Sequence, residues 1–234
     1  MKIVYTGLES AGKSLLLAKT AIRLVKRNKK WQKKYGFTRK IVSNLKFSNE
    51  FYKKNADFIK YFEDMSEIIG ITGCDIIWDE ISSDFSALKK EPMTRKINRW
   101  LRQGAKQGVH IYATAQEFHD IHLDFRRRAQ ECKNVKKFFG SNRSGENLPP
   151  VNLIWGLCLT WDIKIHPYNE LEPEKVSILP SFFFITKELC NIFDTHQVIT
   201  SSHEPPYEHV ERICENVNCK AGYKGKRFSK VIHR

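Results

Sequence analysis

Gly7-Leu8-Glu9-Ser10-Ala11-Gly12-Lys13-Ser14 decides how the rest of the chain is read. The octet fits G-x-x-x-x-G-K-[ST], in which glycines let backbone N–H groups close around phosphate oxygens at the positive end of a helix. Its flanks suit that reading: Lys2-Ile3-Val4-Tyr5 is a short strand leading in, and Leu15-Leu16-Leu17-Ala18 opens a helix leading out. On this pattern Gly7, Glu9, Ser10, Ala11, Gly12, Lys13, Ser14 and Leu15 form a nucleotide cradle, with ATP as the expected ligand. Lys13 reaches the β- and γ-phosphates, and Ser14 offers a hydroxyl to Mg²⁺. A plain glycine turn is the alternative for eight residues taken alone. The strand–loop–helix setting argues against it.

Outward from the octet, strands and helices alternate. Leu16, Leu17, Ile22 and Val25 recur near a 3.6 period and predict a helix over residues 13–30. Residues 40–45 (K-I-V-S-N-L) read as a second strand. Asp75-Ile76-Ile77-Trp78 reads as a third, apolar on both faces like the centre of a parallel sheet. After Pro92 a helix is expected over 94–107, its apolar side Ile97, Trp100, Leu101 and Ala105, its remainder Arg95, Lys96, Arg99, Arg102 and Lys106. Val109 to Thr114 makes the fourth strand. This order predicts an α/β fold of the P-loop NTPase, RecA-like kind: a mostly parallel sheet with helices on both faces. Residues 140–150 read as a loop or hairpin, 151–165 as further strand at the sheet edge, and 176–193 as a buried strand followed by a helix or turn. The expected organisation is one ATPase domain over 1–200 and a basic tail or small appendage over 201–234.

Two strand ends carry further chemistry. Asp79-Glu80, after the apolar strand, fits a Walker B element: Asp79 for Mg²⁺ and Glu80 as the base that polarises an attacking water. The alternative is a pair of acids complementing a helix dipole. Gln116, at the tip of the fourth strand, suits a sensor of the γ-phosphate or the lytic water, and otherwise is a surface amide. Arg126-Arg127-Arg128 cannot all face one way on a helix. Arg127 or Arg128 suits an arginine finger, and contact with a phosphate backbone or acidic partner is an equal alternative.

Composition limits the partners. Forty Lys and Arg against twenty-six Asp and Glu give a formal charge of +14 over 234 residues, which favours a polyanion: nucleic acid first, an anionic membrane surface second. The charge clusters in Lys26–Lys34 and again in Arg95–Arg102. The six cysteines have no disulfide-framework spacing and read as reduced thiols, Cys74, Cys158 and Cys190 filling core space. His209, Cys214, Cys219 and His233 are candidate zinc ligands, but their spacing fits no usual finger. No signal peptide is expected, since Met1 leads directly into the first strand, and no apolar run approaches the ~18–20 residues of a membrane-spanning helix.

G-L-E-S-A-G-K-S, I-V-S-N-L, I-I-W-D-E-I, W-L-R-Q-G-A-K-Q-G-V-H-I-Y-A-T-A-Q and D-F-R-R-R-A together resemble the HerA/FtsK superfamily of P-loop motors. The viral branch is nearest: genome-packaging ATPases of membrane-containing viruses and the ATPase region of zonular-occludens-toxin-like phage assembly proteins. Ile192-Phe193-Asp194-Thr195 is similar to the F/Y-D-T element of the latter group. The resemblance implies an ATP-driven homo-oligomer, usually a hexameric ring, that moves DNA. Lys13, Ser14, Asp79, Glu80 and Gln116 map onto family roles, and Arg127 and Arg128 map more loosely. Viral capsid or membrane vertex proteins are the implied docking partners, in the host cytoplasm or on the virion. The toxin-like proteins usually continue into a membrane span, which favours the packaging motor. A membrane-associated assembly ATPase is the second expectation, and a P-loop small-molecule kinase the third.

Overall fold

The computed structural model describes residues 1–88, 94–140, 154–165 and 179–192. Outside them lie Pro92, most of the 140–150 loop, Phe193-Asp194-Thr195, the tail from 201 and the Cys/His constellation within it.

Apolar β-branched runs become the central strands: β1 (Lys2–Thr6), β2 (Lys40–Ser43), β4 (Cys74–Trp78) and β5 (His110–Thr114). Two strands were not legible beforehand. β3 (Ile59–Tyr61) has three residues, too few for a period to show. β6 (Glu131–Gly140) hides its alternation behind Lys133, Lys136 and Lys137. With β7 (Ile154–Ile163) and β8 (Ser181–Thr186) they form one eight-stranded sheet in the order β3-β2-β4-β5-β1-β6-β7-β8. β3 through β6 in that order run parallel, and β7 and β8 add on antiparallel. Because β5 lies between β1 and β4, loops after all three strands meet at one end of the sheet. This is a RecA-like α/β arrangement.

Helix α1 (Lys13–Tyr35) outlasts its predicted end by five residues. Lys, Gln and Trp all continue a helix without penalty, and the stop is Gly36, left-handed at φ 65°, whose N–H bonds the Gln32 carbonyl over 2.9 Å. Leu15, Leu17, Ala18, Ala21, Leu24 and Val25 are its buried face. With α2 (Asn49–Asn55) and α6 (Lys187–Cys190) it covers one side of the sheet. α3 (Ile81–Asp84), α4 (Arg95–Gln103) and α5 (Leu123–Arg126) cover the other, over Val4, Ile76, Trp78 and Ile111. Each large side chain so buried contributes roughly 1.5–3 kcal/mol. α4 is shorter than predicted: Thr94 caps it, and the chain turns from Gly104. There Gly104 is buried and Ala105 exposed, the reverse of the predicted apolar side.

β8 is an edge strand buried on one face only. Phe183 and Ile185 point into the core, whereas Phe182 and Phe184 stand in solvent. The expected buried strand is therefore buried on one face and exposed on the other. Cys74, Cys132, Cys158 and Cys190 are buried free thiols, pushed up to about 11 by burial. No described helix is long and apolar enough to cross a membrane.

Candidate nucleotide site

The loop between β1 and α1 turns through three left-handed residues, Gly7 (φ 146°), Ser10 (φ 58°) and Gly12 (φ 96°). Such turns fold backbone N–H groups into an anion-binding concavity at the start of α1. Two of the positions admit no side chain. A Cβ on Gly7 would stand 2.4 Å from the Val135 carbonyl oxygen of β6, and one on Gly12 would stand 2.7 Å from the Cys158 sulfur of β7. β6 and β7 thus hold the loop from below. Gly7 N–H donates to the Gln116 carbonyl at 3.0 Å, tying the loop to the end of β5.

Lys13 folds its ammonium back over the loop, donating to the carbonyls of Gly7 (2.6 Å) and Leu8 (3.0 Å). Burial pulls its pKa below the ordinary lysine value, against the pull of Asp79, Glu80 and Glu9. The Ser14 hydroxyl donates to Asp79 Oδ2 at 2.9 Å. Thr114 donates its hydroxyl to the other oxygen, Asp79 Oδ1, and accepts from Glu80 N–H at 2.8 Å, so one side chain of β5 holds both acids. Asn44, just past β2, grips the Asp79 backbone twice: its amide donates to the Asp79 carbonyl (2.8 Å) and its carbonyl accepts from Asp79 N–H (2.7 Å). Groups from the ends of β2 and β5 and the start of α1 therefore converge on Asp79.

Burial pushes the Asp79 carboxyl above the usual carboxylate range despite hydrogen bonds from Thr114 and Ser14. Glu80 is raised first by burial and then by the neighbouring Asp79 charge, with Lys13 opposing. Its backbone is left-handed (φ 51°), an unusual state for a non-glycine residue that costs about 1–3 kcal/mol and concentrates at functional sites. The Thr114 bond and Ser83 N–H to the Glu80 carbonyl (3.0 Å) hold that state in place. A carboxylate whose pKa lies above the usual range is better matched to general-base work near neutrality.

A cleft of about 210 Å³ is lined by Glu9, Ser10, Ala11, Gly12, Lys13, Ser14, Leu15, Asp79, Glu80 and Gln116. Of the sequence-predicted residues only Gly7 lies behind this lining, and Arg127 and Arg128 lie elsewhere. The three arginines point three ways. Arg126 bonds His119, Arg128 bonds Asp124, and Arg127 is exposed. They precede β6, whose Glu131 pairs with Ile3 near the start of β1, the sheet end away from the loop. Sequence reasoning gave no role to Asn44 or Thr114. A polar residue ending each apolar strand was the available signal.

The residues fit a Mg²⁺-nucleotide. The cradle excludes any Cβ at Gly7 and Gly12, and a hydroxyl and a buried carboxylate already face each other across it. No group of three His, Cys, Asp or Glu suited to a metal occurs among the described residues. When bound, the cation would neutralise charge between phosphate oxygens, with Ser14 and Asp79 holding it.

Among solved structures, the chain is similar to the N-terminal domain of zonular occludens toxin from Neisseria meningitidis, at 18% identity over 82% of this chain and 98% of that one, TM-score 0.49. It is similar to B204, the DNA-packaging ATPase of Sulfolobus turreted icosahedral virus, at 15% identity over 69% and 91%, TM-score 0.43. A third is the flagellar accessory protein FlaH of Methanocaldococcus jannaschii, at 15% identity over 79% and 88%, TM-score 0.44. No family model and no curated protein matches the chain.

Proposed function

We propose that the protein binds ATP with Mg²⁺ in this cleft, hydrolyses it, and uses the energy to move DNA as a viral genome-packaging motor. The observation that carries the hydrolysis is the pair Asp79–Glu80, held by the single hydroxyl of Thr114. Asp79 faces Ser14, where a cation belongs, and Glu80 stands beside it with a raised pKa, suited to take a proton from water. Lys13 and the loop amides hold the phosphates. Gln116, which lines the cleft and whose backbone carbonyl accepts from Gly7 N–H, senses the γ-phosphate or the lytic water. The +14 charge supports a DNA partner.

In this reading residues 1–200 are the motor domain, 201–234 a basic tail, and copies assemble in a ring, expected to be hexameric. Arg127 or Arg128 then acts on a neighbour's site, since within one chain both lie away from the cleft. Docking to viral capsid or membrane vertex proteins in the host cytoplasm belongs to the same proposal.

One observation favours the alternative, an assembly ATPase at a membrane. The last turns of α1 carry exposed Lys26, Lys29, Lys30, Lys33 and Lys34 beside exposed Tyr35 and Phe37, a basic and aromatic end suited to an anionic bilayer. Hydrolysis measured with DNA, with anionic vesicles and with neither separates the two. Stimulation by DNA supports the motor. Stimulation by vesicles alone, or phosphate transfer to a nucleoside, overturns it.

A further inference from the structure

α4 lies between α3, which follows Asp79-Glu80, and β5, which ends at Thr114 two residues before Gln116. Its inner side is Ile97, Trp100, Leu101 and the following Gly104, all buried. Trp100 is pinned by its indole N–H to the Ile71 carbonyl at 3.2 Å. Opposite, Arg95, Arg99, Arg102 and Lys106 follow one another at intervals of four, three and four residues. That spacing sets the three arginines in one stripe along the helix, about 10 Å long at 1.5 Å per residue, and Lys106 follows in the turn after it. All four are exposed. No hydrogen bond or ion pair engages any of their side chains among the described residues. Arg128, by contrast, is bonded to Asp124, and Arg27 and Arg39 to Asp75.

We infer that this stripe is where the protein holds the sugar-phosphate backbone of nucleic acid, an inference that rests on the DNA-motor reading above. Three of the four cations are arginines, whose planar fork matches phosphate oxygens in pairs and is more weakly hydrated than an ammonium. No large apolar side chain is interleaved along the stripe, since Trp100 is buried. That separates it from the basic, aromatic end of α1 and disfavours a lipid surface. Gln103 is exposed beside the stripe and adds an amide for phosphate oxygens without opposing charge. The position has a consequence for the site. A contact on α4 pulls on the one segment that joins the strand ending in Asp79-Glu80 to the strand bearing Thr114 and Gln116. Nucleic acid bound there acts on the hydrolytic groups through the β4–β5 connection of which α4 is part.

The test uses the full chain and a short fluorescent DNA duplex of mixed sequence, with binding followed by anisotropy across a KCl series. Arg95→Gln/Arg99→Gln/Arg102→Gln is compared with wild type and with Lys29→Gln/Lys30→Gln/Lys33→Gln, which removes the same charge from α1. The α4 variant is expected to bind at least about tenfold more weakly. Its log–log salt slope should fall by about 2–3, at roughly 0.9 per lost phosphate contact. Its basal hydrolysis stays at the wild-type rate while stimulation by DNA is lost. The α1 variant keeps most of the slope and the stimulation. Arg95→Lys/Arg99→Lys/Arg102→Lys keeps the slope, which guards against misfolding as the cause. Equal losses in the α4 and α1 variants, or an unchanged slope in the α4 variant, overturn the inference and leave the motor reading standing. Wild type that binds anionic vesicles but no duplex at any salt overturns both.

Discussion

The Ser14 hydroxyl donates to Asp79 Oδ2 over 2.9 Å, joining the start of α1 to the end of β4 across 65 residues of sequence. The two groups occupy the positions at which a cation bound to phosphates would be shared. Thr114 and Asn44 make the arrangement rigid, one holding the Asp79 side chain and the other its backbone. The preorganisation comes from strand order. With β5 between β1 and β4, the loop, the acids and Thr114 are neighbours before any ligand arrives.

Gly7→Ala and Gly12→Ala should differ in severity. At Gly7 the new methyl meets a backbone carbonyl of β6 that cannot move without breaking the sheet. At Gly12 it meets the Cys158 sulfur. Gly7→Ala is expected to lose more than about 2 kcal/mol of stability, combining steric overlap with a disfavoured φ. Gly12→Ala should weaken nucleotide binding, and Cys158→Ala added to it should restore part of that loss by removing the sulfur. Denaturant melts and nucleotide titration of the three variants check this. Identical behaviour of the pair with and without Cys158 would show that the sulfur is not the obstacle.

Asn44→Ala removes both bonds to the Asp79 backbone, leaving a buried N–H and C=O without these partners. The expected loss is about 1–3 kcal/mol of stability, with a fall in turnover because Asp79 loses its fixed position. A melt unchanged from wild type would contradict the assignment of Asn44 as the clamp.

Asp79→Asn should stabilise the fold while abolishing hydrolysis. Burial raises the folded pKa of Asp79 above its ordinary 3.8, so the folded protein holds that proton to higher pH than the unfolded chain does. Its favourable contribution is complete below 3.8 and is lost as pH rises through the raised value. At neutral pH the ionised form is a burden on folding, and the asparagine should gain roughly 0.5–2 kcal/mol, the scale of single stabilising changes. The advantage narrows as pH falls. Melts of both proteins from neutral pH downward test it, and a variant less stable than wild type at neutral pH would contradict the direction.

The buried thiols offer a check on the packing beneath the loop. Cys74, Cys132, Cys158 and Cys190 are held near 11 by burial, so an aromatic disulfide reagent near neutrality should modify them only on unfolding. Fast modification of Cys158 in the native protein, located by mass spectrometry, would mean that the support under Gly12 is open to solvent.

The candidate site's lining was largely legible because its signals are local. Gly7–Ser14 carries its own geometry, and Asp79-Glu80 and Gln116 each end an apolar strand. Thr114 and Asn44 were not legible as site residues, because an isolated Thr or Asn says nothing until the strand order sets it beside Asp79. β6 was missed for a similar reason. Its lysines mask the alternation, although Cys132 and Val135 are buried once the strand pairs with β1. The arginine triplet showed its residues but not their directions, which come from Asp124 and His119.

Glu80→Gln tests the central claim most directly, with nucleotide binding and phosphate release measured on the same preparation. The account predicts ATP binding close to wild type and hydrolysis reduced by about 10²-fold or more, the scale of losing a general base. In the wild type, the acid limb of the rate should lie above the ordinary glutamate value of 4.5, since burial and Asp79 raise Glu80 and its deprotonated form is the active one. Hydrolysis by Glu80→Gln at the wild-type rate would contradict the account, because water would then be activated by some other group.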